Sequence, residues 1–182
     1  TAKKKTHPLK TIKILCRNKY FILITLAFAV IYTSLGLTGG SRIYYAKYVL
    51  GDEMLNSTMT MFNYIPTILT IMLIPVFTKR FGKIKALFVG FLFYAAGLVL
   101  EIAGPVNLPM IYTGLVLQGI GHAALYSCLF AIVGDVVDYS EWKDGIREEG
   151  ITYSVTSFGQ KIGTGLGTAA LGWILAAGHY DG

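Results

Sequence analysis

The sequence is short of charge. Asp, Glu, Lys and Arg make up only 14% of its 182 residues, against roughly 25% in an average soluble domain. Hydrophobic residues make up 54%, and mean hydropathy is +0.57. A soluble fold of this composition would leave large apolar patches in water. A disordered chain needs the opposite balance, few apolar residues and much charge. Both classes are excluded, and an all-α integral membrane protein remains. Cysteine is also scarce. Cys16 and Cys128 are the two, too few and too far apart for a disulfide framework or a thiolate metal site. Cys128 lies inside an apolar run and reads as a small buried hydrophobe. There are three histidines, no nucleophile elbow and no phosphate loop, which argues against an enzyme. No metal site and no cofactor are expected.

The charge that is present is concentrated. Formal net charge is +6, and seven of the sixteen basic residues fall in the first nineteen: Lys3, Lys4, Lys5, Lys10, Lys13, Arg17 and Lys19. Four more occupy Lys79-Arg80-Phe81-Gly82-Lys83-Ile84-Lys85. Both groups abut long apolar runs, so membrane topology accounts for them and nucleic acid does not. A span needs roughly 20 apolar residues. Five segments qualify, at about 20–41, 56–78, 86–103, 110–134 and 151–178. The first is no cleavable signal, because nineteen largely polar and basic residues precede it and no small-x-small cleavage site follows. Gly104-Pro105-Val106-Asn107-Leu108-Pro109 separates the third run from the fourth as an extramembrane turn.

Placing the N-terminus in the cytoplasm puts seven, four and two basic residues inside, the last pair being Lys143 and Arg147. Only Arg42 and Lys47 then lie outside. Thirteen against two satisfies the positive-inside rule, and the localisation expected is a multi-pass cell membrane protein. Tyr44, Tyr45 and Tyr48 read as an aromatic belt at the outer interface. Five spans, a first residue that is not Met and a tail ending at Gly182 lead to the expectation of a fragment or processed product.

Lys161 is the most informative residue. It lies about ten residues, or about 15 Å, into the fifth run. An ammonium in hydrocarbon costs roughly 2.5–3.5 kcal/mol on insertion scales, so it is expected to face a water-filled cavity or a carboxylate from elsewhere. Ser157, Lys161, Thr164 and Thr168 share one helical face with Ser154 extending it, and Gln160 borders it. Gly159, Gly163 and Gly167 begin roughly 200° away at 100° per residue. That is small-xxx-small spacing, which admits a neighbouring helix closely. One face reads as lining and the other as packing.

Two apparent motifs fail on context. Gly165-x-Gly167-x-x-Ala170 has the spacing of a dinucleotide loop but sits inside an apolar helix. Asp135, Asp138 and Glu141 lack His or Cys at ligand spacing, so a cytoplasmic salt-bridge cluster with Lys143 and Arg147 is expected rather than a metal site. Gln118, His122 and Tyr126 recur at i+4 steps in the fourth run. They read either as sugar-facing groups beside an aqueous cavity or as interhelical hydrogen-bonding groups. The same two readings stand for Thr60, Asn63, Thr67 and Thr70 in the second run, where Pro66 and Pro75 are candidate kinks.

The stretch from Asp135-Val136-Val137-Asp138-Tyr139-Ser140-Glu141-Trp142-Lys143-Asp144-Gly145-Ile146-Arg147 through Glu148-Glu149-Gly150-Ile151 reads as a loop, followed by Tyr153-Ser154 and Phe158-Gly159-Gln160-Lys161. It resembles the glycoside–pentoside–hexuronide:cation symporters, the melibiose permease-like carriers of the major facilitator superfamily. Ile43-Tyr44-Tyr45-Ala46-Lys47-Tyr48-Val49-Leu50-Gly51-Asp52 and Phe81-Gly82-Lys83 agree with it. The resemblance implies the C-terminal half of such a fold, with five transmembrane helices corresponding to helices seven to eleven. Residues 1–19 would then end the central cytoplasmic loop, and 20–182 would be a partial transporter domain.

The resemblance further implies import of a glycoside, pentoside or hexuronide with co-transported Na⁺ or H⁺ by alternating access. Lys161 matches the helix-eleven lysine near the cation and sugar sites. Ser157 and Gln160 occupy polar positions beside it. Tyr126 falls where melibiose-type carriers hold a sugar-site aromatic, and as Tyr rather than Trp it implies a different sugar preference. Thr164 and His122 complete the expected substrate and cation site. Asp135, Asp138, Glu141 and Arg147 are the expected cytoplasmic gate. The partners implied are the sugar, the bilayer and an N-terminal half carrying the cation-binding carboxylates. The rival readings are an uncoupled exchanger or facilitator of the same fold, a non-transporting half-carrier acting as a membrane sensor or assembly subunit, and an inactive truncation.

Overall fold

The computed structural model describes residues 18–145 and 149–178. The basic N-terminal residues up to Arg17, Cys16 among them, as well as Arg147 and the last four residues, lie outside the described residues. Five long helices run in order: α1 (Lys19–Tyr44), α2 (Leu55–Phe81), α3 (Lys83–Ala103), α4 (Leu108–Asp144) and α5 (Glu149–Ala177). A π-helical turn, Tyr45–Val49, continues α1. Among the described residues there is no strand.

Among the described residues four stretches are long and apolar enough to cross a membrane: Lys19–Val49, Leu55–Phe81, Lys83–Ala103 and Leu108–Lys143. The fifth helix, α5, has 29 residues, about 43 Å at 1.5 Å per residue. Its length suffices for a span, but its Gly, Ser, Thr and Lys161 content leaves it outside the apolar set.

The breaks between helices follow local chemistry. Gly82 takes φ 86°, a conformation that L side chains rarely adopt, and turns α2 into α3 in one residue. At the Gly104–Asn107 turn, the Asn107 amide donates to the Gly104 carbonyl at 3.0 Å. The Asn107 side chain accepts from the Met110 amide at 3.3 Å, opening α4. Pro66 and Pro75 both lie within the continuous α2. One boundary corrects the sequence reading. The stretch from Asp135 to Asp144, expected as part of a loop, is the last part of α4. No Gly or Pro interrupts it before Gly145, which takes φ 65°.

The chain divides into two compact units, Thr1–Gly40 with Ile132–Gly182, and Ser41–Ala131. In the first unit α5 packs on α1 through its glycine stripe. A Cβ at Gly163 would stand 2.5 Å from the Ala29 carbonyl oxygen, and one at Gly36 of α1 would stand 2.6 Å from the Thr164 carbonyl oxygen. Gly167 seats equally tightly against Thr33. Phe28, Thr152 and Thr156 are fully buried there. Asn18, also buried, donates from Nδ2 to Ser140 Oγ at 3.0 Å, tying the start of α1 to the end of α4.

In the second unit α3 and α4 meet through small residues. A Cβ at Gly121 would stand 2.6 Å from the Gly90 carbonyl oxygen, and one at Gly114 would stand 2.7 Å from that of Gly97. Two apolar clusters fill the unit: Ala46, Met59, Ile111 and Leu115, and Ile74, Ala86, Ala124 and Cys128. Cys128 is thus the buried small hydrophobe its context predicts. Tyr45, expected in an aromatic belt, donates from its hydroxyl to the Pro105 carbonyl within the unit.

Candidate functional site

The first group of site residues lies on α5. Lys161 stands twelve residues after Glu149 and sixteen before Ala177, about 18 Å from the helix start. Its side chain is exposed, as are those of Ser154, Thr164 and Thr168, while Ser157 and Gln160 are half-buried. Gly159, Gly163 and Gly167 are buried. The helix is therefore two-faced: a stripe of glycines seats it on α1, and the opposite stripe presents an ammonium among hydroxyls. Those hydroxyls are held locally. Thr164 donates from Oγ1 to the Gln160 carbonyl at 3.0 Å, Thr168 to the Gly165 carbonyl at 3.0 Å, and Ser154 to the Gly150 carbonyl at 2.7 Å. Each hydroxyl still has lone pairs with which to accept from a ligand.

The second group lies on the part of α4 that belongs to the second unit. Gln118 and His122 are buried, at 1% and 6% exposure. His122 lies between two aromatic rings, 4.9 Å from Tyr94 and 5.7 Å from Tyr126 between centroids. Tyr126 is half-buried. The Nε2 atoms of both Gln118 and His122 are without a hydrogen-bond partner among the described residues. Leaving a buried polar group unsatisfied typically costs about 1–3 kcal/mol; the Gln118 amide has the Glu101 carboxyl beside it as a looser partner, so it is His122 Nε2 that calls for an external partner, water or ligand.

The structure adds two charged residues that the sequence reading left unused. Arg42, at the end of α1, and Glu101, at the end of α3, lie within the same unit and act on each other electrostatically. Arg42 also acts on Tyr64, Tyr94 and His122, and Glu101 on Gln118. The signal in the sequence was faint. Each is a single opposite charge at the end of an apolar run, and both fall on the same expected side of the membrane.

The two readings of the α2 polar stripe resolve for two of its members. Asn63 donates from Nδ2 to the Leu115 carbonyl at 3.1 Å, and Thr67 from Oγ1 to the Gly119 carbonyl at 3.0 Å. Both are buried. They bind α2 to α4. Thr60 donates to the Asn56 carbonyl of its own helix at 2.7 Å. The expected gate residues Asp135, Asp138 and Glu141 are exposed on the last three turns of α4, while Arg147 lies outside the described residues. Among the described residues no group of three or more His, Cys, Asp and Glu is arranged to hold a metal ion.

Comparison with known proteins bears on this arrangement. A family model described as MFS/sugar transport protein matches residues 1–182. The isoprimeverose transporter of Lactiplantibacillus pentosus is 31% identical over 97% of this chain and 37% of its own length. The glucuronide carrier protein homolog of Escherichia coli (strain K12) is 29% identical over 94% of this chain and 37% of its own. The raffinose carrier protein of Pediococcus pentosaceus is 25% identical over 89% and 25%. The chain thus spans about a third of the length of such relatives. No solved structure matches.

Proposed function

The chain belongs to the MFS/sugar transport protein family, and on that premise we propose that it is part of a secondary active transporter. The family is one of transporters, not enzymes, and the chain is a multi-pass membrane protein. The transporter moves a glycoside, pentoside or hexuronide together with Na⁺ or H⁺ by alternating access. The named substrates of the relatives, isoprimeverose, a glucuronide and raffinose, are the support for a sugar.

The observation that carries the reading is the division of α5. A glycine face locks the helix to α1, and the opposite face holds an ammonium and hydroxyls exposed in mid-helix. A rigid helix with a polar face is what a solute pathway through a membrane requires. In this reading Lys161 sits beside the cation and sugar sites, with Ser157, Gln160 and Thr164 as hydrogen-bonding neighbours. Tyr126 offers its ring face to the sugar, and His122 offers a nitrogen to a hydroxyl. An N-terminal half supplies the cation-binding carboxylates that pair with Lys161. Cation binding neutralises them and frees the ammonium, and sugar binding then favours the closed arrangement. Asp135, Asp138, Glu141 and Arg147 hold the cytoplasmic side shut by ion pairs, and the N-terminus is cytoplasmic.

The test is uptake of a labelled panel of glycosides, pentosides and hexuronides into cells expressing the intact carrier, with Na⁺ and H⁺ gradients imposed separately. Gradient-dependent accumulation of at least one sugar is expected. Equilibration unaffected by either gradient would favour a facilitator of the same fold instead.

A further inference from the structure

Four basic residues surround the turn between α2 and α3: Lys79, Arg80, Lys83 and Lys85. No acidic residue occurs between Glu53 and Glu101, so nothing on this hairpin offsets them. Lys79, Arg80 and Lys85 are exposed. Arg80 lies 5.4 Å above the Phe81 ring. Lys83 is half-buried and donates from Nζ to the Ala131 carbonyl at 3.2 Å.

An apolar groove of about 230 Å³ formed by α2, α3 and α4 begins at Phe77 and Ala86, five residues before and four after Gly82. The buried residues Ile74, Ala86, Gly90 and Ala124 form its floor, and Phe77 and Val89 rise beside it. The floor exists because Gly90 and Gly121 let α4 approach α3; a Cβ at Gly90 would stand 2.4 Å from the Ala124 Cβ. The groove extends from Phe77 to Thr70 along α2 and from Ala86 to Phe93 along α3. That is seven residues on each helix, about 10 Å by helical rise.

An apolar groove next to a basic turn whose own hairpin carries no acidic residue matches one kind of molecule in a bilayer. It has a hydrocarbon chain, and an anionic headgroup at the end of that chain. We propose that the groove binds an anionic phospholipid, with one acyl chain in the slot and the phosphate held by Lys79, Arg80 and Lys85. The positive-inside orientation places the turn at the cytoplasmic leaflet, where anionic lipids attract such clusters. The proposal rests on that orientation and not on the transport reading.

The test uses the full chain purified in a neutral detergent, titrated with phosphatidylglycerol and with phosphatidylcholine of identical acyl chains, and read by native mass spectrometry. Phosphatidylglycerol is expected to bind at least fivefold more tightly. The K79Q/R80Q/K85Q variant alters exposed side chains only and should lose that preference. Val89→Trp, which narrows the slot, should weaken phosphatidylglycerol binding at least fivefold. Phe88→Trp, on the same helix but outside the slot, should not. Equal binding of the two lipids, a preference that survives in the triple variant, or Val89→Trp behaving like Phe88→Trp would each overturn the proposal.

Discussion

Gly163 of α5 lies against the carbonyl oxygen of Ala29 in α1, where a Cβ would stand 2.5 Å away. This contact fixes which face of α5 is buried, and so which face presents Lys161. Backbone lines the site on α1, and backbone yields less readily than the end of a side chain. Gly163→Leu should therefore separate the two helices and destabilise the chain by about 1–3 kcal/mol, the usual cost of overpacking. A Cβ at Gly165 would meet nothing within 4 Å. Gly165→Ala should be neutral or stabilising by up to about 1 kcal/mol. Thermal unfolding of the two variants in detergent checks both. Equal behaviour would show that the glycine face is not the packing face.

Asn63 and Thr67 should behave as structural residues. Asn63→Leu removes the bond to the Leu115 carbonyl, which keeps its partner within α4. Membrane hydrogen bonds average about 0.6 kcal/mol, with about 1.7 as an upper value, so a small loss of stability is expected. Transport should fall only in proportion to the amount of folded protein, as uptake normalised to folded carrier would show.

Gln118 gives the opposite expectation. It is 1% exposed, and its Nε2 makes no close hydrogen bond, the Glu101 carboxyl being a looser partner. If its role were only structural, an apolar residue of similar size would be as good or better there. Gln118→Leu should hold or raise thermal stability while reducing sugar uptake by about tenfold, the equivalent of one lost hydrogen bond of roughly 1.4 kcal/mol. Measuring stability and uptake on the same preparation separates the two effects.

The gate reading predicts a split between binding and flux. Asp138 is exposed on the last part of α4. Asp138→Asn should leave sugar affinity within about twofold and slow turnover several-fold, because an ion pair that holds one state closed changes a conformational equilibrium and not the sugar site. Binding measured at equilibrium beside initial uptake rates checks it. Loss of both in equal measure would place Asp138 elsewhere in the mechanism.

Much of this architecture is legible along the chain, because each helix carries its own apolar run and its own stop. Gly82 and the Gly104–Asn107 turn end helices where the sequence says they must. The misread boundary has a physical cause. Asp135, Asp138 and Glu141 end the apolar run, but charge does not stop a helix, and α4 continues to Asp144. The orientation of a polar stripe around its helix is less legible. Asn63 and Thr67 carry the same signal as a lined cavity until the position of the Leu115 and Gly119 carbonyls is known. Arg42 and Glu101 are 59 residues apart in sequence, and only the fold brings them into one unit. On α5 the pattern is strong because glycine and hydroxyl residues occupy opposite faces over several turns.

The measurement that bears most directly on the transport reading is gradient-driven sugar accumulation by the intact carrier with Lys161→Val. That substitution removes the mid-helix ammonium from the exposed face of α5 and leaves the glycine face untouched. Accumulation above equilibrium should be abolished, with the folded carrier still present at wild-type level by thermal unfolding. Accumulation unchanged from the wild type would contradict the account, because Lys161 would then take no part in coupling the cation to the sugar.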